Sequence, residues 1–210
     1  MGAVNMNSDG SFNPDTPHPN PSPSPEREGL HAAPIIVSAL FGEADFHYLD
    51  GLRRAHFPPA RNQLRAHLTM FHHLPPSVVD ELKARLQGEA RASAPPAQIE
   101  LLMSLGHGVA LRVHSPELAD VRARLAENFA PLLIPQDKAG WRPHVTIQNK
   151  AKPAEARALL DQLSVNFKPR PLAIAGLAAW YYKGGPWEPI AAYRFGSGHP
   201  MKPPPPFIPG

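Results

Sequence analysis

The sequence predicts an α+β fold of two pseudo-symmetric lobes, mainly antiparallel sheet with outer helices and a central groove. Three observations predict it. The stretch Arg65-Ala66-His67-Leu68-Thr69-Met70 returns as Arg142-Pro143-His144-Val145-Thr146-Ile147. Each copy precedes the same order of elements: strand, a proline nine residues after the His (Pro76, Pro153), helix, strand, Gly-rich turn, strand. Short β-like runs alternate with amphipathic stretches throughout, and two copies are too few for a solenoid.

The elements follow from local pattern. Residues 35–41 (IIVSALF) are a β-branched apolar run, read as a buried strand. Over 43–57, Phe46, Leu49, Leu52, Arg53 and Phe57 recur at helical spacing until Pro58-Pro59 stops them. The first His-Thr strand ends before Pro75-Pro76. Residues 77–90 carry Val78, Val79, Leu82 and Leu86 on one helical side. Residues 98–105 and 109–114 are β-like runs around Gly106-His107-Gly108, a hairpin with His107 exposed at its turn. Ser115 caps the next helix, with Pro116 at its first position and Val121, Leu125 and Phe129 as its stripe. Residues 131–140 read as a loop into the second His-Thr strand. Pro153 then opens a helix, 172–182 form a strand, Gly184-Gly185-Pro186 turns it, and 187–195 return.

Composition sets the limits. Of 28 prolines, seven lie in residues 1–34 and six in 200–210. Residues 1–33 are therefore expected to be a disordered Pro/Ser-rich tail and 197–210 a Pro-rich tail, leaving 34–196 as one domain. Residues 1–33 carry four carboxylates against Arg27, so the +3 chain concentrates a +6 surplus in the remainder. That surplus suits an anionic ligand without requiring nucleic acid. The sequence has no cysteine, which excludes disulfides and thiolate metal sites. No 18-residue apolar run and no signal-like start are present, so a cytoplasmic monomer without a membrane span is expected.

The repeated motif carries chemistry. Alternate residues of a strand share a face, so His67 and Thr69 point one way and Leu68 and Met70 the other; His144 and Thr146 repeat this. An imidazole titrates near neutral pH, so one can accept a proton while another donates one. A Thr hydroxyl beside each can hold a non-bridging phosphate oxygen. Two such pairs across a groove suit in-line displacement at phosphorus with no metal and no cofactor, and a cyclic phosphodiester is a favourable substrate.

The duplicated His-x-Thr, the 77-residue spacing and the duplicated lobes resemble the two-histidine (2H) phosphoesterase superfamily, most of all its bacterial 2′-5′ RNA ligase and RNA 2′,3′-cyclic phosphodiesterase members. The resemblance spans residues 34–196. It implies opening of 2′,3′-cyclic phosphates on RNA ends or nucleotides to 2′-phosphates, with reversible 2′-5′ ligation in some members. It also implies that His67 and His144 are the catalytic pair, His144 as base and His67 as acid, with Thr69 and Thr146 on the phosphate. Many ligase-type members place an Arg soon after the second motif. Here Gln148-Asn149-Lys150 stands there, and strand parity puts Gln148 and Lys150 on the His144 face. Lys150 would supply the charge as a point donor rather than a fork.

Other residues are open between site and scaffold. Phe71 shares the parity of His67 and is groove lining or core. Arg65 and Arg142 share parity with their histidines and are phosphate contacts or rim charges. Tyr181, Tyr182 and Trp187 flank the Gly184-Gly185 turn and are base-stacking or core aromatics. His72 and His73 with His67 invite a metal, but no carboxylate follows either motif at ligand spacing. Two further functions compete: a catalytically silent RNA- or nucleotide-binding module, and a phosphodiesterase for another ester such as 2′-5′ oligoadenylate.

Overall fold

The computed structural model describes residues 33–203. Its first strand, β1 (Ile35–Phe41), is buried along its whole length, as a run apolar on both faces requires. Helix α1 (Glu43–His56) leads to β2 (Leu68–Leu74), which carries the first motif. Then come α2 (Val79–Glu89), entered through a 3-10 turn at Pro76–Val78, and the hairpin of β3 (Gln98–Ser104) and β4 (Val109–His114). Helix α3 (Pro116–Asn128) is capped as expected, with Ser115 Oγ accepting from the Leu118 amide.

Residues 131–140 are more ordered than a loop. A 3-10 turn ends at Leu132 and a one-turn helix, α4 (Pro135–Lys138), follows. The second motif lies on β5 (His144–Gln148), before α5 (Pro153–Ser164). The strand expected at 172–182 is present over 174–182, and a short strand the sequence reading did not include precedes it. The short β6 (Arg170–Pro171) pairs with β3, and β7 (Ile174–Tyr182) pairs with β1. Asp45 holds the crossover between them, accepting from Arg170 at 2.6 Å and from the Ala173 amide at 2.7 Å. Strand β8 (Trp187–Arg194) closes the set.

The strands form two antiparallel sheets, ordered β2-β1-β7-β8 and β5-β4-β3-β6. Each motif strand is an edge. The duplication is clearer here than in the sequence, because the unit begins one strand earlier, as β-α-β-α-β. Ser38 of β1 pairs with Thr69, and Ala110 of β4 pairs with Thr146. The last strand of each unit is exchanged: β3 follows the first motif but joins the sheet of the second, and β7 does the reverse. Helix α1 likewise packs on β5, and α4 on β2. The lobes are therefore not contiguous halves of the chain. One core cluster, including Leu68, Met70, Val145 and Ile147, joins both sheets. A smaller cluster around Trp180 and Trp187 covers the other face of the first sheet.

The expected tail at 1–33 lies almost wholly outside the described residues. The one expected at 197–210 begins as packed structure. The Gly198 amide donates to Ala90 O, and the Met201 amide to Ala192 O, tying the segment to α2 and β8. Among the described residues no helix is long and apolar enough to cross a membrane.

Candidate active site

Both motifs break strand alternation at the same place. Between Ser38↔Thr69 and Val37↔Phe71 the partner strand advances one residue while β2 advances two. Between Ala110↔Thr146 and Val109↔Gln148 the same happens in β5. Each is a β-bulge placed directly after the threonine. The residues following each Thr are both buried, Met70 with Phe71 and Ile147 with Gln148. The outward face thus presents one His and one Thr before the bulge interrupts it; beyond the first bulge it resumes with His72. Gly108 makes room for the second bulge, since a Cβ there would collide with the Gln148 carbonyl.

The bulges correct two readings based on parity. Phe71 is fully buried beneath the Arg122 guanidinium, 4.8 Å from its ring centre, and does not line the groove. Gln148 turns into the interior rather than sharing the His144 face, and its Oε1 has no hydrogen-bond partner among the described residues. Arg65 precedes the strand, so alternation does not govern it. Its guanidinium grips Asp50 at 2.8 and 3.0 Å, which makes it scaffold rather than a free phosphate contact.

The remaining residues come together. His67, Thr69, His144, Thr146, Arg142 and Trp187 line one groove of about 460 Å³, within the range of small-molecule sites. Lys150 and Tyr182 line an adjoining depression that shares His67 and Thr146.

Both imidazoles are held alike. His67 Nδ1 lies 2.8 Å from Arg65 O, and His144 Nδ1 lies 2.8 Å from Arg142 O. A carbonyl oxygen only accepts, so each Nδ1 carries hydrogen. Nε2 is then the atom free to exchange a proton at both centres.

Their surroundings differ. Trp187 packs over His67, with ring centres 4.7 Å apart, whereas among the described residues no aromatic ring covers His144. Burial, with the Arg53 charge second, pulls His67 down to about 4. It is neutral at pH 7, with an open lone pair on Nε2.

Three side chains that sequence pattern gave no reason to single out for the site hold the motif strands. Edge strands leave carbonyls unpaired. Arg53 of α1 donates from Nη1 to Thr146 O at 2.8 Å, across from its own repeat. In the other direction, Arg122 of α3 donates to Met70 O at 2.8 Å and Trp141 Nε1 to Thr69 O at 3.0 Å. Burial draws Arg53 down to about 10, leaving it charged at neutral pH. Its one sequence signal is an arginine at a core position of a helical stripe.

Asp137 was equally hidden. It sits on α4 and accepts from the His72 and His73 amides and from His72 Nδ1 at 2.8 Å. Burial would raise its carboxyl, but those hydrogen bonds outweigh burial and hold it below the usual carboxylate range. His72 is thereby committed to a carboxylate contributed by the other repeat. Among the described residues no group of three or more His, Asp or Glu side chains converges as a metal site would.

A sequence model described as the 2′-5′ RNA ligase superfamily matches residues 41–186. The chain belongs to that superfamily, that of the 2H phosphoesterases. Solved structures share its fold. TT0787 of Thermus thermophilus is 15% identical with TM-score 0.54, the match covering 79% of this chain and 100% of that one. E. coli LigT complexed with 3′-AMP is 15% identical with TM-score 0.53, over 78% of this chain and 98% of that one. A further crystal structure, of a phosphoesterase, is 14% identical with TM-score 0.52, over 78% and 98%. No curated protein matches the chain in sequence. Membership of the 2H superfamily supports a phosphoesterase or ligase class of enzyme, and the fold is LigT-like.

Proposed function

We infer that this 2H superfamily member is a metal-independent phosphodiesterase that opens 2′,3′-cyclic phosphates of RNA ends or nucleotides to 2′-phosphates. One observation carries the reading: two imidazoles, each with Nδ1 tied to a carbonyl and Nε2 free, line one groove with a threonine beside each. The LigT complex with 3′-AMP, in a protein of the same fold, fits a nucleotide ligand.

The electrostatics favour His67 as base and His144 as acid, the reverse of the assignment the resemblance implies. Neutral His67 takes a proton from water through Nε2. The water oxygen forms a bond to phosphorus, and the bond from phosphorus to O3′ breaks. His144, in the acid role, gives a proton from Nε2 to O3′. Thr69 and Thr146 hydroxyls donate to the non-bridging oxygens, where fixed donors contribute roughly 3 kcal/mol each. Proton exchange with solvent resets both rings.

The test is turnover of 2′,3′-cyclic nucleotides in EDTA. The expected product is the 2′-phosphate, with His67→Ala and His144→Ala each losing roughly 100- to 10,000-fold at unchanged folding. Loss of activity with chelator, or a near wild-type rate in either variant, would overturn the reading. Tight binding of nucleoside 2′-phosphates with no turnover would mark a silent binding module instead.

A further inference from the structure

We propose that the cavity behind the second motif strand, between α1 and α5, is a binding site for a fatty acyl carboxylate. None of the residues that line the histidine groove lines this cavity. Strand alternation puts the two on opposite faces of the second sheet, so the inference stands apart from the phosphodiesterase reading.

The duplication shows what is left open. Leu86 of α2 and Leu163 of α5 each stand 19 residues after their motif histidine. Leu86 is fully buried, whereas Leu163 is only half-buried. Phe71 fills the core from the first bulge, and its counterpart Gln148 brings no such ring. Helix α1 packs on β5, and α5 on β3 and β4. Between them about 560 Å³ stays unfilled, within the range of small-molecule sites. Leu102, Leu111 and Ile147 floor it, and Leu52, Leu163 and Phe167 wall it. Leu102 and Leu111 are register partners, and Ile147 is the residue that the second bulge adds to β5. The three wall residues and Leu102 each keep part of their surface open, apolar area that a ligand can take from water.

The mouth selects an anion. Among the described residues no carboxylate lines the cavity. Arg170 lines it but is committed to Asp45 at 2.6 Å. Lys168 is exposed and, among the described residues, forms no ion pair with a carboxylate. Gln162 and Asn166 add amide donors beside it. One free ammonium over an apolar well fits a single-chain amphiphile with one negative head. The chain covers the well, and the carboxylate pairs with Lys168. A nucleotide, polar along its length, would bury hydrogen-bonding groups against the floor without partners.

The site also bears on the second motif. Ile147 follows Thr146 in β5, and Leu52 precedes Arg53, which donates to Thr146 O at 2.8 Å. A ligand seated there presses on the bulge behind His144 and Thr146.

The experiment titrates the full chain with octanoate, nonanoate and decanoate below their micellar concentrations, followed by calorimetry and by amide NMR spectra. One decanoate per chain is expected, with affinity rising roughly fourfold per added methylene. The amide resonances of Leu102, Leu111 and Ile147 should move, and that of Thr69 should not. Wild type should favour decanoate over decyltrimethylammonium, which has the same chain and the opposite charge, at least tenfold. Lys168→Glu should bring that ratio to one or below, and Lys83→Glu, the same reversal on α2, should leave it unchanged. Leu163→Trp, which fills the cavity from its wall, should weaken decanoate at least tenfold while keeping a cooperative urea transition. No saturable binding of decanoate, equal affinity for the two heads in wild type, shifts confined to the histidine groove, or undiminished binding in a folded Leu163→Trp would overturn the site. The titration reads no turnover. A chain that binds decanoate yet opens no cyclic phosphate keeps this site and loses only the phosphodiesterase reading.

Discussion

The first and second motif strands share a scaffold and differ in what surrounds it. Both sit at sheet edges, both bulge after the threonine, and both fix imidazole Nδ1 on the carbonyl two residues back. Geometry alone would make the histidines interchangeable. Their neighbours separate them: Trp187 and the Arg53 charge bear on His67, while His144 stands at the open side with Arg142. An acid and a base need unlike environments, and a duplicated framework supplies them only by diverging around the rings.

The largest effect expected from breaking this comparison is a leaving-group test. Each histidine-to-alanine variant should lose roughly 100- to 10,000-fold on a cyclic phosphate. A p-nitrophenyl phosphodiester needs no acid to expel its phenolate. His144→Ala should recover most of its rate on that ester, and His67→Ala should not. Recovery by His67→Ala instead would assign the roles as the family resemblance has them.

Next in size is Arg53→Met. It removes the hydrogen bond to Thr146 O and the charge that helps depress His67. With the charge gone, His67 rises from about 4 toward its ordinary 6.5. A base is lost when it is protonated, so the acid limb of kcat/KM should move to higher pH, with a roughly tenfold fall at the optimum. Stability gives a second readout with a definite sign. His67 has a lower pKa folded than unfolded, so its contribution is present above 6.5 and lost as pH falls from 6.5 through 4. Wild type should therefore lose more unfolding free energy than His67→Gln between pH 7 and 4.5. An acid limb that stays put in Arg53→Met would separate Arg53 from the base.

Much of this was legible in the sequence because it is periodic. The repeated His-x-Thr, the proline nine residues after each, and the helical stripe at Phe46, Leu49 and Arg53 report local geometry that the chain imposes on itself. What stayed hidden is non-local. Parity left Phe71 open between groove and core and put Gln148 on the His144 face, because a bulge is set by partner-strand register, which no single strand records. Arg65 stayed open between phosphate contact and rim charge because Asp50, its partner, lies 15 residues away on a helix face. The exchange of β3 and β7 between sheets leaves no trace in element order. Asp137 sat in a stretch read as loop, and only the fold brings it 65 residues back to His72.

The smallest effect sharpens the comparison most directly, because it concerns the one position where the two bulges differ in chemistry. Phe71 fills its slot with an apolar ring, fully buried. Its counterpart Gln148 puts an amide in the equivalent slot, and Oε1 finds no partner among the described residues. An unsatisfied buried acceptor costs about 1–3 kcal/mol, part of which an apolar replacement of similar length recovers. Gln148→Leu should thus raise unfolding free energy by about 1 kcal/mol, read as a shift of the urea midpoint at constant slope. If the second bulge serves only to interrupt the His-Thr face, as the first does, turnover of the cyclic phosphate should be unchanged. A stabilised Gln148→Leu that loses activity would show that the amide reaches the site through the bulge. The two strands would then differ in function below their surface as well as above it.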